Sequence, residues 1–154
     1  MANGRPETSG QAAYEGASRG ALWPVRVKLL GSFSVSVGHR TIEGGTWRLR
    51  KAAALVKLLA LAPGHHLHRE QAMNLLWPDS GRKAASGSLR KALHAARRTL
   101  DPEMGSRYLA SEHESFVLNP KSDLWVDVED FEESAATARR ARDPEAYRAD
   151  CTCM

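Results

Sequence analysis

Cysteine is nearly absent from this chain, since Cys151 and Cys153 are the only two among 154 residues and both lie at its C-terminal end. A framework of disulfides therefore does not hold the fold together. Long apolar runs are missing as well, because the longest, Ala52–Leu61, is interrupted by Lys57 and is far shorter than a membrane span. The N-terminal residues also lack the apolar stretch of a signal peptide. Together these absences predict a cytoplasmic protein without a membrane partner.

Aromatic residues are scarce, at 6% of the chain, and they do not cluster. This scarcity disfavours RNA binding, because proteins that read single-stranded RNA use aromatic side chains as stacking platforms. We expect Trp47, Trp77 and Trp125 to pack in the core and at junctions instead.

Recognisable catalytic motifs are also missing. No serine lies in a nucleophile elbow, no glycine-rich loop could cradle a phosphate, and no cysteine–histidine pair has a defined context. His65, His66 and His68 are candidate metal ligands, together with the two terminal cysteines, but they follow a Pro-Gly pair in an expected turn. No CxxC or HExxH spacing supports them as ligands. The sequence thus predicts no enzyme activity, no metal site and no cofactor.

Acidic residues are absent from Arg82–Leu100, which carries six Lys and Arg residues. At about 100° per residue this stretch predicts a helix with two distinct faces. The apolar face consists of Ala85, Leu89, Ala92, Leu93, Ala96 and Leu100. The opposite face consists of Lys83, Arg90, Lys91, His94, Arg97 and Arg98. A solvated amphipathic helix is the alternative, but such helices normally mix charges to gain i,i+4 pairs. A face of one sign favours binding to nucleic-acid phosphate.

The net charge of +4 conceals an uneven distribution along the chain. Residues 1–22 are neutral, residues 23–120 hold 15 Lys and Arg against 7 acids, and residues 121–154 hold 5 against 9. A basic unit of net charge +8 is therefore followed by an acidic segment of −4. This polarity is typical of a nucleic-acid-binding unit joined to a region with a different role.

The hydrophobic pattern predicts the remaining elements. Residues 1–22 have no periodicity and are expected to form a flexible tail. Alternating apolar residues predict two strands over 25–29 and 33–37, joined at Gly31, and a third short strand over 40–42. Helices are predicted over Arg50–Ala62 and His68–Trp77, with Asp79 and Ser80 as caps of the basic helix.

A hairpin and a last helix complete the prediction. Tyr108–Ala110 and Phe116–Leu118 flank the polar turn Ser111–Ser115. Val128–Arg142 carries apolar residues at helical spacing. The order of elements predicts an α+β fold, a winged helix-turn-helix with an additional N-terminal antiparallel sheet, three helices and a C-terminal wing hairpin.

Three stretches of the chain resemble bacterial antibiotic regulatory proteins of the SARP type. They are RLRKAAALVKLLALAPGHHLHREQAMNLLWPD from Arg48, SLRKALHAARRTL from Ser88 and VDVEDFEESAATA from Val126. Members of this family are transcriptional activators in which an OmpR-like winged helix precedes a helical activator domain. The resemblance implies a winged-helix domain over 23–120 and a truncated start of the activator domain over 121–154. It also implies double-stranded DNA and RNA polymerase as partners, and we expect a weak homodimer through 128–142.

Candidate DNA-binding residues lie on the basic helix and at the start of the first helix. We expect Ser86 and Arg90 to read base edges, because helix starts and arginine forks are suited to the major groove. Cations that open a helix oppose its macrodipole, which is tolerable beside phosphate. The predicted site consists of Arg48, Arg50, Lys51, Lys83, Ser86, Ser88, Arg90, Lys91, His94, Arg97 and Arg98. Phosphate roles are expected for Lys91, Arg97 and Arg98.

A protein-interaction module is the alternative function. Glu112 and Glu114 occupy the predicted wing turn, where acids would be repelled by DNA phosphate. In this alternative, DNA binding has been lost and the helical tail docks a partner. Steep salt dependence would indicate DNA binding, whereas an apolar protein interface is far less sensitive to salt.

Overall fold

The computed structural model describes residues 22–103, 105–119 and 123–142 as a mixed α+β fold with four helices and two small sheets. In chain order the elements are β1 (Val25–Lys28), β2 (Ser34–Val37), β3 (Arg40–Glu43), α1 (Arg50–Leu61), β4 (His66–His68), α2 (Arg69–Leu76), α3 (Arg82–Leu100), β5 (Leu109–Glu112), β6 (Ser115–Leu118), β7 (Leu124–Val126) and α4 (Asp127–Arg142). Short 3-10 turns precede α1 and β4. Among the helices described, none has the length and apolar character needed to cross a bilayer. The tail expected over 1–22 lies outside the described residues except for Leu22.

The first sheet has the strand order β3-β2-β1-β7. The three N-terminal strands are antiparallel, as the alternating pattern predicted, and Val35 pairs with Val27 on one side and Ile42 on the other. The sequence did not predict β7, which pairs in parallel with β1 and aligns Val27 with Val126. Residues on both sides of the domain boundary predicted at residue 120 therefore contribute to one sheet.

The second sheet has the order β4-β6-β5. The predicted hairpin is confirmed, although its loop is shorter than expected and consists of His113 and Glu114 between the two strands. The turn predicted for His65, His66 and His68 is wrong for the last two residues. His66–His68 forms β4, which pairs with β6. Leu67 is the buried residue of β4, opposite Phe116. A strand of three residues is too short to show an alternating pattern.

The helices pack around a core that the apolar patterns identified. The predicted limits of α1 and α2 differ from the observed ones by at most one residue at each end, and those of α3 agree with the structure. The buried residues of α3 are the predicted apolar face. Leu55 and Leu59 of α1 and Leu89 and Leu100 of α3 are among the largest fully buried side chains.

The caps of the helices differ from the prediction. Gly81 is the N-cap of α3 and makes no side-chain cap hydrogen bond, so the caps predicted at Asp79 and Ser80 are wrong. The Ser80 N–H instead closes a turn onto the Trp77 carbonyl at 3.2 Å, which leaves both residues before the cap position. At α2, the cap residue is His68, whose Nδ1 accepts from the Glu70 N–H.

The last helix is attached to the rest of the fold mainly at its start. The Asp127 carboxylate accepts hydrogen bonds from the backbone N–H groups of Leu29 and Leu30 at 2.9–3.0 Å. Val128 packs half-buried against the core, and His65 Nε2 lies 3.3 Å from Glu129 Oε1. No described residue of α4 is buried, and Phe131 is 62% exposed.

Candidate nucleic-acid interface

One face of α3 carries only positive or neutral side chains. Lys83, Arg90, Lys91, His94 and Arg98 are all exposed. Within the described part of the chain, none of these five has an acidic group within 4.0 Å. The charges of the two lysines and two arginines among them are therefore available to an external anion, which is the arrangement that phosphate binding requires.

An open groove of about 910 Å³ runs between α3 and the residues that precede α1. It is lined by Arg48, Leu49, Arg90, Lys91, His94, Ala95, Arg98 and Thr99. The described residues of the lining combine four permanent cations and an imidazole with a small apolar floor, and none of them is acidic. The structure thus brings Arg48 together with four of the predicted site residues on α3.

Arg97 has different surroundings from the exposed cations of α3. Its Nε donates to the Leu109 carbonyl at 2.9 Å, and its Nη2 donates to Ser111 Oγ at 2.7 Å. Partial burial lowers the pKa of Arg97, because desolvation disfavours the charged guanidinium. These bonds join α3 to β5, so Arg97 has a bracing contact that sequence reasoning did not foresee.

The serines predicted to lie at the interface are half-buried on the flanks of α3. Ser86 Oγ accepts a hydrogen bond from Arg69 Nη2 at 2.8 Å, which ties α3 to α2. The Arg82 guanidinium makes a second tie, at 2.7 Å from Glu70 Oε1. The two helices are therefore held together by contacts at the start of α3, while Ser88 lies on the opposite flank.

The three predicted cations near the start of α1 separate into different environments. Arg48 lines the groove, and Arg50 is exposed. Lys51 donates from Nζ to the Leu76 carbonyl at 2.6 Å and lies 5.8 Å from the centre of the Trp77 ring. Lys51 thus fastens α1 to the end of α2, with its charge placed where a helix C-terminus favours a cation.

Two further residues position α3, and the sequence prediction missed both. Arg40 of β3 donates to the Thr99 and Leu100 carbonyls at 2.6–3.1 Å, so it caps the C-terminus of α3. Asp101, 3% exposed, accepts two hydrogen bonds from Arg107. That hydrogen bonding raises the pKa of Arg107. A lone arginine in a strand and an acid after a helix carry no sequence signal of such contacts.

The tip of the β5–β6 hairpin is acidic. Glu112 and Glu114 are exposed on either side of His113. Ser111, which Arg97 contacts, lies at the base of this tip. The environment of α3 is therefore uneven, with free cations toward Arg48 and acids toward the hairpin.

The tryptophans lie where packing was expected. Trp47 is buried, and Trp77 and Trp125 are half-buried. The guanidinium of Arg26 lies 4.7 Å from the centre of the Trp125 ring, so this tryptophan packs at the junction between β1 and β7. None of the three is an exposed stacking platform.

Metal-binding geometry does not occur among the residues described, where no group of three or more His, Cys, Asp or Glu side chains converges. His65 Nδ1 lies 3.1 Å from the Ala60 carbonyl, and its other ring nitrogen faces Glu129. His66 and His68 are exposed on β4. Cys151 and Cys153 lie outside the described residues.

No protein-family model matches this chain, and no curated protein is significantly similar to it.

Proposed function

We propose that this protein is a sequence-specific DNA-binding transcriptional regulator of the SARP type, acting in the cytoplasm on double-stranded DNA. In this proposal its fold is an OmpR-type winged helix, α2 and α3 form the helix-turn-helix, and the β5–β6 hairpin is the wing. The observation that carries the proposal is the exposed, acid-free face of α3, whose five cationic or imidazole side chains have no acidic neighbour among the described residues.

The packing of α3 supports insertion into the major groove. An α-helix fits the width of that groove, provided that one face is free and the other is held firmly. Here the apolar face of α3 is buried, its start is tied to α2 through Ser86 and Arg82, and its end is capped by Arg40. The helix is thus a rigid element whose free face is cationic.

Individual side chains take different roles in this proposal. Arg90 is exposed in the first half of α3 and is suited to a bidentate contact with guanine O6 and N7. Lys91, Arg98 and Lys83 are suited to phosphate, which fixes orientation without reading sequence. RNA polymerase as a further partner rests on the family resemblance alone.

A selection experiment tests the proposal. The full chain is incubated with a random duplex library, and bound DNA is amplified over several rounds. We expect one enriched motif, and Arg90→Ala should relax preference at one of its positions and cost about 1–3 kcal/mol in affinity. Arg139→Ala, on the exposed surface of α4, is the matched control and should select the wild-type motif. A library that stays random with the wild-type chain would refute sequence-specific binding.

A protein-interaction module is the second candidate function, favoured by a different surface. Leu61 and Leu75 are 56% and 60% exposed, and both line an open groove between α1 and α2. Leu58, Ala62, Pro63 and Leu67 complete its apolar lining. If this groove were the main functional site, binding to a partner would persist at high salt, and the selection above would yield no motif.

A further inference from the structure

We infer that the phosphodiester backbone of one DNA strand lies in the groove between α3 and the residues preceding α1, with the β5–β6 hairpin turned away from the duplex. This inference rests on the proposed function, because it specifies how DNA is oriented on α3. It assigns Arg48 and Arg98 as the two walls of a phosphate-binding channel.

The groove has the charge that a nucleic-acid backbone requires. Arg90, His94 and Arg98 are spaced four residues apart, so they form a row with steps of about 6 Å along α3. Arg48 faces this row from the opposite wall, and Lys91 lies on the same side of α3 as the row. Among the residues that the structure describes, no acid lines the groove, so its described walls do not repel phosphate.

The floor of the groove suits the sugar part of the backbone. Leu49 is 43% exposed, and Ala95 and Thr99 lie beside it. The Thr99 hydroxyl already donates to the Ala95 carbonyl, so it presents mainly its methyl group and oxygen lone pairs to the groove. A cationic rim around apolar carbon is complementary to alternating phosphate and deoxyribose.

The opposite flank of α3 is unsuited to the same role. Arg97 donates to the Leu109 carbonyl and to Ser111 Oγ, so two of its five N–H donors are used and its guanidinium is held against β5. Beyond it, Glu112 and Glu114 at the hairpin tip repel phosphate. The charges on the two sides of α3 therefore attract the duplex toward Arg48 and repel it from the hairpin.

Salt dependence of binding tests this assignment. Affinity of the full chain for a fluorescein-labelled duplex of random sequence is measured by anisotropy between about 50 and 200 mM NaCl. Removing the side chain that neutralises one phosphate should reduce the slope of log K against log salt by about 0.9. We expect this reduction for Arg48→Ala and for Arg98→Ala, and no reduction for Arg139→Ala. Arg48→Lys should retain the wild-type slope, because neutralising a phosphate needs only the charge.

Arg90→Ala separates failure of this inference from failure of the proposed function. If Arg90→Ala weakens binding to the selected motif while Arg48→Ala and Arg98→Ala keep the wild-type slope, DNA binding stands and the groove assignment is overturned. An equal reduction of the slope for Arg139→Ala would also overturn it, since the backbone would then run over α4. If the wild-type chain shows no salt-dependent binding, the proposed function and this inference fail together. Thermal unfolding by circular dichroism verifies that each variant is folded.

Discussion

Arg97 and Arg98 are neighbours in sequence but meet opposite environments on α3. Arg97 is half-buried and donates to a backbone carbonyl and a hydroxyl of β5. Arg98 is exposed and lines the groove. Arg97 therefore contributes to the packing of the fold, whereas Arg98 is available to an external anion.

This difference predicts that the two arginines contribute unequally to the stability of the fold. Arg97→Ala removes two charge-assisted hydrogen bonds and should lower the free energy of unfolding by about 1–2 kcal/mol. Arg98→Ala removes no hydrogen bond or ion pair to the residues that the structure describes, and it should change this free energy by less than about 0.5 kcal/mol. Urea unfolding monitored by circular dichroism measures both values. Equal stabilities of the two variants would contradict the bracing role of Arg97.

A sequence pattern could foresee only part of the site. The exposed face of α3 was predictable, because the apolar and cationic residues separate at helical spacing. The contacts made by Lys51, Ser86 and Arg97 were not, because their carbonyl and side-chain partners come from other elements. Charge patterning shows which face a cation occupies, and tertiary packing decides whether that cation remains free.

At the scale of elements, the two sheets also contain parts that a local sequence pattern predicts and parts that depend on tertiary packing. Strands β1 to β3 have alternating valines, serines and charged residues and were predicted. Strands β4 and β7 have three residues each and obtain their partners from distant parts of the chain. Such short strands are stabilised by hydrogen bonds to the strand beside them, and a local sequence pattern cannot show which strand that is.

The acidic hairpin gives a prediction at this scale. Replacing both Glu112 and Glu114 by Lys should tighten binding to random duplex severalfold at low salt, because two repelling charges become attractive. At about 200 mM NaCl the gain should fall below roughly twofold, because salt screens charges that are not in direct contact with DNA. Anisotropy titrations measure the gain at each salt concentration, and a change of both residues to Gln should give an intermediate effect. A gain that persists at high salt would mean that the hairpin contacts the duplex.

The attachment of α4 gives a second prediction for an element. Asp127→Ala leaves two backbone N–H groups of the β1–β2 turn without their acceptor and should destabilise the fold by about 1–2 kcal/mol. Backbone amides of α4 should exchange hydrogen faster, because the helix opens locally. Backbone amides in the middle of α3 should still exchange only through global unfolding. Asp130→Ala, on the exposed surface of the same helix turn, is the control. Equal exchange in α4 for both variants would show that Asp127 does not anchor the helix.

At the scale of the whole molecule, α4 leaves apolar surface exposed. Phe131 is 62% exposed, and the described residues beyond Val128 make little contact with the core. An isolated helix of this length is only marginally stable in water, so cover from a second chain would stabilise it. Self-association through this helix is therefore our expectation.

We predict a weak dimer that depends on concentration. Sedimentation equilibrium of the wild-type chain should show an average mass that rises with concentration, and Phe131→Asp should abolish that rise. Thr137→Asp adds the same charge elsewhere on α4 and should leave the dimer intact. Circular dichroism should show that both variants keep their fold. A wild-type chain that is monomeric at every concentration would contradict the prediction.

The parallel pairing of β7 with β1 also bears on how the protein folds during its synthesis. Leu29 and the Asp127 carboxylate that holds its N–H group are 98 residues apart in sequence. The ribosome must therefore release the whole chain between β1 and β7, and β7 itself, before that edge of the first sheet can close. Contacts of such high sequence separation slow folding, because a long loop must be closed before they form. A nascent chain that ends at the β5–β6 hairpin would thus contain all of α3, while its first sheet would still lack β7.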